Sequence, residues 1–192
     1  MSNKLHGVYS AIGASSHAVT DRDSQDFYST PRMAIECLLK EYSFTQNVLE
    51  PACGDGAISK VLEEHGYHVT SMDLYDRGYG TTGIDFLTYD TPFHGDIITN
   101  PPYKLAQQFI EHGLEIIDDE CCICVLLPLR FLESRKRQSL FDKMCLSSVL
   151  VFRKRISCYL SGEYANYNGA VAFAWFIFRK SFYGNPVIIW IN

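Results

Sequence analysis

The run Asn47-Val48-Leu49-Glu50-Pro51-Ala52-Cys53-Gly54-Asp55-Gly56 decides how the rest of the chain is read. Its first four residues read as a strand, and Ala57–Glu64 beyond it as a helix closed by Gly66. Two glycines in the turn between them let the backbone come close to a ligand. A dinucleotide turn would carry a third glycine, and Ser59 stands there instead. Glu50 would also repel a pyrophosphate, whereas a carboxylate suits a ligand bearing a sulfonium and an ammonium. With Glu50, Ala52, Gly54 and Gly56, the turn reads as a cradle for S-adenosylmethionine; a tight β–α connection without ligand is the plain alternative. Asp73 closes the next strand, His68–Asp73, 19 residues beyond Gly54. An acid at that distance accepts ribose hydroxyls in folds of this type, and Leu74 follows it.

Strands and helices alternate on either side of this unit. Thr30 reads as an N-cap and Pro31 as the first helical residue, followed by Ala34, Ile35, Leu38, Leu39 and Tyr42 at helical spacing. A glycine-rich loop surrounds a short strand expected over residues 84–87. Further strands are expected over 96–99, 121–127 and 147–152, with helices over 105–117 and 133–144. Strands over 170–178 and 187–191 are separated by Gly184-Asn185-Pro186 with no helix between, which predicts an antiparallel hairpin. The class is α/β: a mostly parallel, doubly wound, Rossmann-like sheet that ends in that hairpin and takes ligands at its strands' carboxyl ends. Residues 1–25 read as a flexible polar lead-in, and 26–192 as a single domain.

The 192 residues are 47% hydrophobic and 20% charged, ordinary usage for one globular domain. No run is long enough for a membrane span and no signal peptide is seen, so a cytoplasmic location is expected. Seven cysteines make no disulfide framework. Cys121 and Cys124 form a C-x-x-C within an apolar strand, where alternation sends them to opposite faces, so no metal site is expected. The net charge of −5 argues against a general nucleic-acid coat protein. Eight basic residues nevertheless fall between Arg130 and Arg155, opposed only by Glu133 and Asp142. Arg130, Arg135, Lys136, Arg137, Arg153, Lys154 and Arg155 are the candidate nucleic-acid contacts; a solvated helix surface is the alternative.

Asn100-Pro101-Pro102-Tyr103 follows the apolar pair Ile97-Ile98 and lies 44 residues after Gly56. An exocyclic amine on a nucleobase is a poor nucleophile because its lone pair is delocalised into the ring. The Asn100 side-chain oxygen and the Pro101 carbonyl could accept its two N–H groups and stabilise developing positive charge. Pro101 and Pro102 fix φ and hold those acceptors rigidly, and Tyr103 offers a ring to stack on the base. No strong general base is required, since the proton becomes acidic once nitrogen has attacked. A turn that merely starts the next helix is the alternative.

Together these motifs resemble the DNA N6-adenine or N4-cytosine methyltransferases of the class I fold, especially small phage-type adenine enzymes. The resemblance runs from about residue 26 to residue 180. It implies an S-adenosylmethionine-dependent, site-specific transferase of phage or bacterial origin that releases S-adenosylhomocysteine. Phe27-Tyr28-Ser29-Thr30-Pro31 is similar to a further cofactor motif, by which Tyr28, Thr30 and Pro31 contact the methionine part. Helix capping explains Thr30-Pro31 equally well. Gly83-Ile84-Asp85-Phe86-Leu87 resembles the third motif, with Asp85 accepting from the cofactor's adenine amine and Phe86 beside the ring; a plain turn is the alternative. The aromatic run 172–178 is more readily core than site. Restriction-system relatives carry a separate target-recognition domain, and this chain has no room for one. Only the basic stretch and the loop 153–169, with Tyr159, Tyr164 and Tyr167, stand in its place. Target preference is then short, relaxed or supplied by a protein partner. Adenine is favoured because Asn-Pro-Pro-Tyr is the usual adenine form. RNA methylation, protein-glutamine methylation and an idle cofactor-binding subunit are the competing readings.

Overall fold

The structure is a computed structural model, and it describes residues 27–133, 135–143, 145–156, 159–160 and 171–192. The lead-in expected over 1–25 and most of the aromatic loop, including Tyr164 and Tyr167, lie outside the described residues. In chain order the strands are β1 (Tyr28–Ser29), β2 (Asn47–Glu50), β3 (His68–Asp73), β4 (Thr81–Thr82), β5 (Asp96–Thr99), β6 (Cys122–Pro128), β7 (Leu146–Phe152), β8 (Tyr159–Leu160), β9 (Phe173–Arg179) and β10 (Val187–Ile191). The α-helices are α1 (Arg32–Glu41), α2 (Ala57–Glu64), α3 (Ala106–Ile116) and α4 (Gln138–Lys143).

An eight-stranded sheet has the order β10-β7-β9-β6-β5-β2-β3-β4. Every neighbouring pair is parallel except those that β9 makes with β6 and β7. Alternation along β6 shows why the sheet is covered on both faces. Ile123, Val125 and Leu127 enter one core with Phe109, Ile110 and Leu114 of α3. Cys122, Cys124 and Leu126 enter the other with Ile35 and Leu38 of α1 and Val61 and Leu62 of α2. Cys121 and Cys124 therefore part to opposite faces, as expected. Burial pushes the Cys122 and Cys124 thiols well up, consistent with small apolar fillers.

The doubly wound sheet is as expected, but the terminal hairpin is not. β9 and β10 are not neighbours: β9 inserts antiparallel between β6 and β7, and β10 joins β7 in parallel at the sheet edge. The reason is burial. Residues 174–178 of β9 are fully buried, which an edge position cannot provide, whereas Val187, Ile188 and Trp190 of β10 are more than half exposed. Three local expectations also change. The short strand falls at Thr81–Thr82, and residues 86–88 form a 3₁₀ turn because Asp85 Oδ1 accepts from the Leu87 N–H at 3.0 Å. The helix expected over 133–144 is divided into a 3₁₀ turn at Arg135–Arg137 and the shorter α4. At the start of α1, Pro31 occupies the cap and no side chain caps the helix, so Thr30 is released for another role.

Candidate active site

β2, β3, β5, β6 and β7 all run the same way, so Glu50, Asp73, Thr99, Pro128 and Phe152 close at one side of the sheet. The cofactor turn, the tetrad and both basic segments leave from that side. A cavity of about 330 Å³ opens there. Its wall includes Tyr28, Thr30, Glu50, Ala52, Asp73 and Leu74, together with Asp85, Phe86, Asn100 and Pro102. Residues expected from four separate motifs are thus brought together. Pro31, Gly54, Gly56, Pro101 and Tyr103 stand behind or beside that wall.

The turn is braced from within. Gly54, at φ +55°, donates its N–H to Asp73 Oδ2 at 2.8 Å, and Tyr75 N–H donates to Asp73 Oδ1 at 2.8 Å. Each oxygen retains capacity for a further donor. The space that side chains at the two glycines would need is filled by rings: Phe27 lies against Gly54, and Tyr79 against Gly56. The glycines therefore admit aromatic neighbours rather than touching the cavity. Glu50 is 2% exposed; its Oε2 accepts the Ser59 N–H at 2.8 Å and the Ser59 hydroxyl. Burial raises its carboxyl well above the usual range, against the opposing pull of the Ser59 hydrogen bonds. A cation in the cavity would favour its ionised form.

Above the turn lies a strap, residues 27–30, whose importance the sequence conveys only in part. Ser29 Oγ donates to Asp55 Oδ2 at 2.8 Å, and the Arg77 guanidinium sits 4.1 Å from the Phe27 ring centre. β1 pairs antiparallel with β8, so the loop that follows β7 reaches back onto the strap. Ser29, Asp55, Phe27 and Arg77 all line the cavity and were not singled out by the sequence. No local pattern announces contacts between residues so far apart in the chain.

The strap also sets Asn100. Asn100 Nδ2 donates to the Tyr28 carbonyl at 2.9 Å and to Thr30 Oγ1 at 3.1 Å. A carbonyl can only accept, so the amide orientation is determined and Oδ1 is turned away from the strap. Among the described residues Asn100 Oδ1 is a buried acceptor with no donor. Thr99 Oγ1 shares that condition, but Thr99 is wholly enclosed, whereas Asn100 borders the cavity. The Tyr103 ring stacks on Tyr28 with centroids 5.7 Å apart and packs against Phe173 at 5.9 Å. Pro101 is buried and holds the tetrad against the sheet end.

The basic candidates divide. Arg130, Arg135, Arg153, Lys154 and Arg155 are exposed beyond β6 and β7, on the tetrad's side of the sheet. Arg137 turns inward: Nε donates to the Phe131 carbonyl at 2.8 Å, and Nη2 to the carbonyls of Glu133 at 2.8 Å and Arg130 at 3.2 Å. It is a brace, not a free cation. The side chain of Lys136 lies outside the described residues.

No sequence profile of a known family matches the chain, nor does any curated protein sequence. Solved structures do. A candidate class I S-adenosylmethionine-dependent methyltransferase from Listeria monocytogenes superposes with TM-score 0.58 at 14% identity, over 96% of this chain and 71% of its own. The fold is that of the class I methyltransferases. A type I restriction-modification methyltransferase subunit from Streptococcus thermophilus matches with TM-score 0.59 at 14% identity, over 84% of this chain and 46% of its own. A candidate RNA methyltransferase from Pyrococcus horikoshii matches with TM-score 0.57 at 15% identity, over 92% of this chain and 99% of its own. The chain thus spans about half the length of the restriction subunit and nearly all of the archaeal protein.

Proposed function

We propose that the chain is an S-adenosylmethionine-dependent methyltransferase acting on the exocyclic N6 amine of adenine in DNA. The observation that carries this reading is Asn100 Oδ1, a fixed, buried acceptor without a donor among the described residues, at the rim of the cavity. A buried polar atom left unmatched costs on the order of 1–3 kcal/mol, so it calls for a ligand donor. An aromatic amine supplies one, beside a ring on which its base can stack.

The cofactor fits the residues present: Tyr28, Thr30, Ala52, Leu74 and Phe86 wall the cavity, with Glu50, Asp73 and Asp85 as acceptors for ammonium, ribose and adenine amine. Gly54 and Gly56 act indirectly, the first through its bond to Asp73. When bound, the cofactor supplies an electrophilic methyl group and departs as a neutral thioether. Asn100 Oδ1 and the Pro101 carbonyl accept the two amine hydrogens and draw the nitrogen lone pair out of conjugation. Tyr103 holds the base face. The same acceptors stabilise the positive charge that develops on nitrogen, and the proton then passes to solvent. In duplex DNA the base is first extruded from the stack. A protein partner that supplies target preference is part of this proposal.

DNA is favoured by the type I restriction methylation subunits among the structural neighbours and by the exposed basic segments. RNA is the second reading, favoured by the length match to the archaeal neighbour. Unmethylated DNA and unmodified RNA, each incubated with the protein and S-adenosylmethionine, digested to nucleosides and weighed by mass spectrometry, test both. N6-methyladenine that disappears with Asn100→Ala is expected. N4-methylcytosine would change the base, methylation of RNA alone would select the second reading, and no methylated base on either would overturn both.

A further inference from the structure

We infer that the groove on the far side of Tyr103 from the cofactor cavity receives the nucleobase next to the target, and that Gln107 and Glu111 of α3 read its edge. The inference rests on the amino-methylation reading above. The groove has a volume of about 380 Å³ and is lined by Tyr103, Gln107, Gln108, Glu111 and Phe131. Lys104 lines both the groove and the cavity, whereas Tyr103 lines only the groove, so the two hollows meet at the tetrad. Displacement at a methyl group requires the attacking nitrogen opposite the departing sulfur. The substrate strand must therefore arrive from the side of the tetrad away from the cavity. Residues that follow β2 and β3 line the cavity, Phe131 and Arg137 that follow β6 line the groove, and β5 with its tetrad lies between.

Its chemistry suits a base and not a phosphate. Glu111 places a carboxylate in it that offsets the exposed Lys104, and Arg137, which also borders it, is bound to three backbone carbonyls. Gln107 Nε2 donates to Glu111 Oε1 at 2.9 Å, which leaves the Gln107 carbonyl and Glu111 Oε2 as acceptors. Carboxylates accept from cytosine N4, and glutamine amides pair with adenine N6 and N7. An amino-bearing base edge is what this set recognises. Phosphate contact falls to Arg130 and Arg135 outside.

The test is equilibrium binding of short adenine-containing oligonucleotides in the presence of S-adenosylhomocysteine, with either an intact or an abasic residue beside the target. The wild type should bind the abasic form about tenfold more weakly. Gln107→Ala with Glu111→Ala, on an exposed helix face that alanine favours, should bind both forms alike. Equal binding of the two forms by the wild type, or unchanged discrimination in the variant, overturns the inference. Methylation of the same oligonucleotide is scored alongside. Methylation without discrimination removes the groove and keeps the reaction. Discrimination lost in the variant, without methylation, keeps the groove and removes the reaction. No binding removes both.

Discussion

Asn100 matters for where its amide points, and Thr30 is one of two groups that decide this. Its hydroxyl oxygen accepts from Asn100 Nδ2 at 3.1 Å and is buried. Thr30→Val keeps the shape and deletes the acceptor, leaving the Tyr28 carbonyl to hold the amide alone. A neutral hydrogen bond is worth about 0.5–1.5 kcal/mol, so kcat should fall up to about tenfold, by more than cofactor affinity changes, and Thr30→Ser should restore it. A fall in cofactor affinity instead would assign Thr30 to the cofactor alone. Glu50 gives a prediction of another kind. Burial raises its folded carboxyl well above the unfolded value. The neutral form is then favoured by folding, so its stabilising contribution is complete below the ordinary carboxyl range and is lost as pH rises through the raised value. Glu50→Gln keeps an acceptor for Ser59 and removes that loss. Its Tm should exceed that of the wild type increasingly as pH rises, when both are measured without cofactor. Parallel Tm profiles would mean that Glu50 stays ionised in the fold.

At the scale of elements, β9 is the piece that holds the two halves of the sheet together. Its residues pair with β6 on one side and β7 on the other, and Trp175 Nε1 donates to the Ala34 carbonyl of α1 at 3.0 Å. Trp175→Phe deletes that bond while the Ala34 carbonyl keeps its helical donor, the Leu38 N–H, so the lost hydrogen bond should cost about 0.5–1.5 kcal/mol in chemical denaturation. A neutral effect would mean that water or a shift of α1 replaces the bond. This strand also marks where the sequence stopped being informative. The β2–turn–α2 unit, β3 and β5 were legible because hydrophobic pattern, glycine and capping signals all agreed within a few residues. The partner of β9 was not, because an apolar run such as Phe173–Arg179 pairs equally well with any buried strand. What decided it was the exposure of β10, a property of the assembled sheet. The same holds for the site. Glu50, Asp73 and Asn100 could be named from local spacing, whereas Ser29, Asp55 and Arg77 enter only through contacts that fold the strap over the turn.

Charge is a property of the whole molecule, and here its distribution matters more than its sum. The net charge of −5 opposes a polyanion at long range, so the proposed DNA binding would rest on the exposed cations beyond β6 and β7, on the tetrad's side of the sheet. Arg130, Arg135, Arg153 and Lys154 are solvent-facing, while Arg137 holds the carbonyls of the turn between β6 and α4. The two sets should respond oppositely to neutralisation. Replacing the four exposed residues by alanine should lower the slope of log K against log salt by about 0.9 for each duplex phosphate no longer neutralised, with stability unchanged. Arg137→Ala should leave that slope alone and destabilise the fold, because its bonds to the Phe131, Arg130 and Glu133 carbonyls are structural. Titrating labelled DNA at several salt concentrations, with denaturant melts of the same variants, separates the two effects. A salt slope unmoved by the fourfold change would transfer the DNA face away from the tetrad's side of the sheet. A slope lowered by Arg137→Ala would mean that the guanidinium leaves its carbonyls to meet a phosphate.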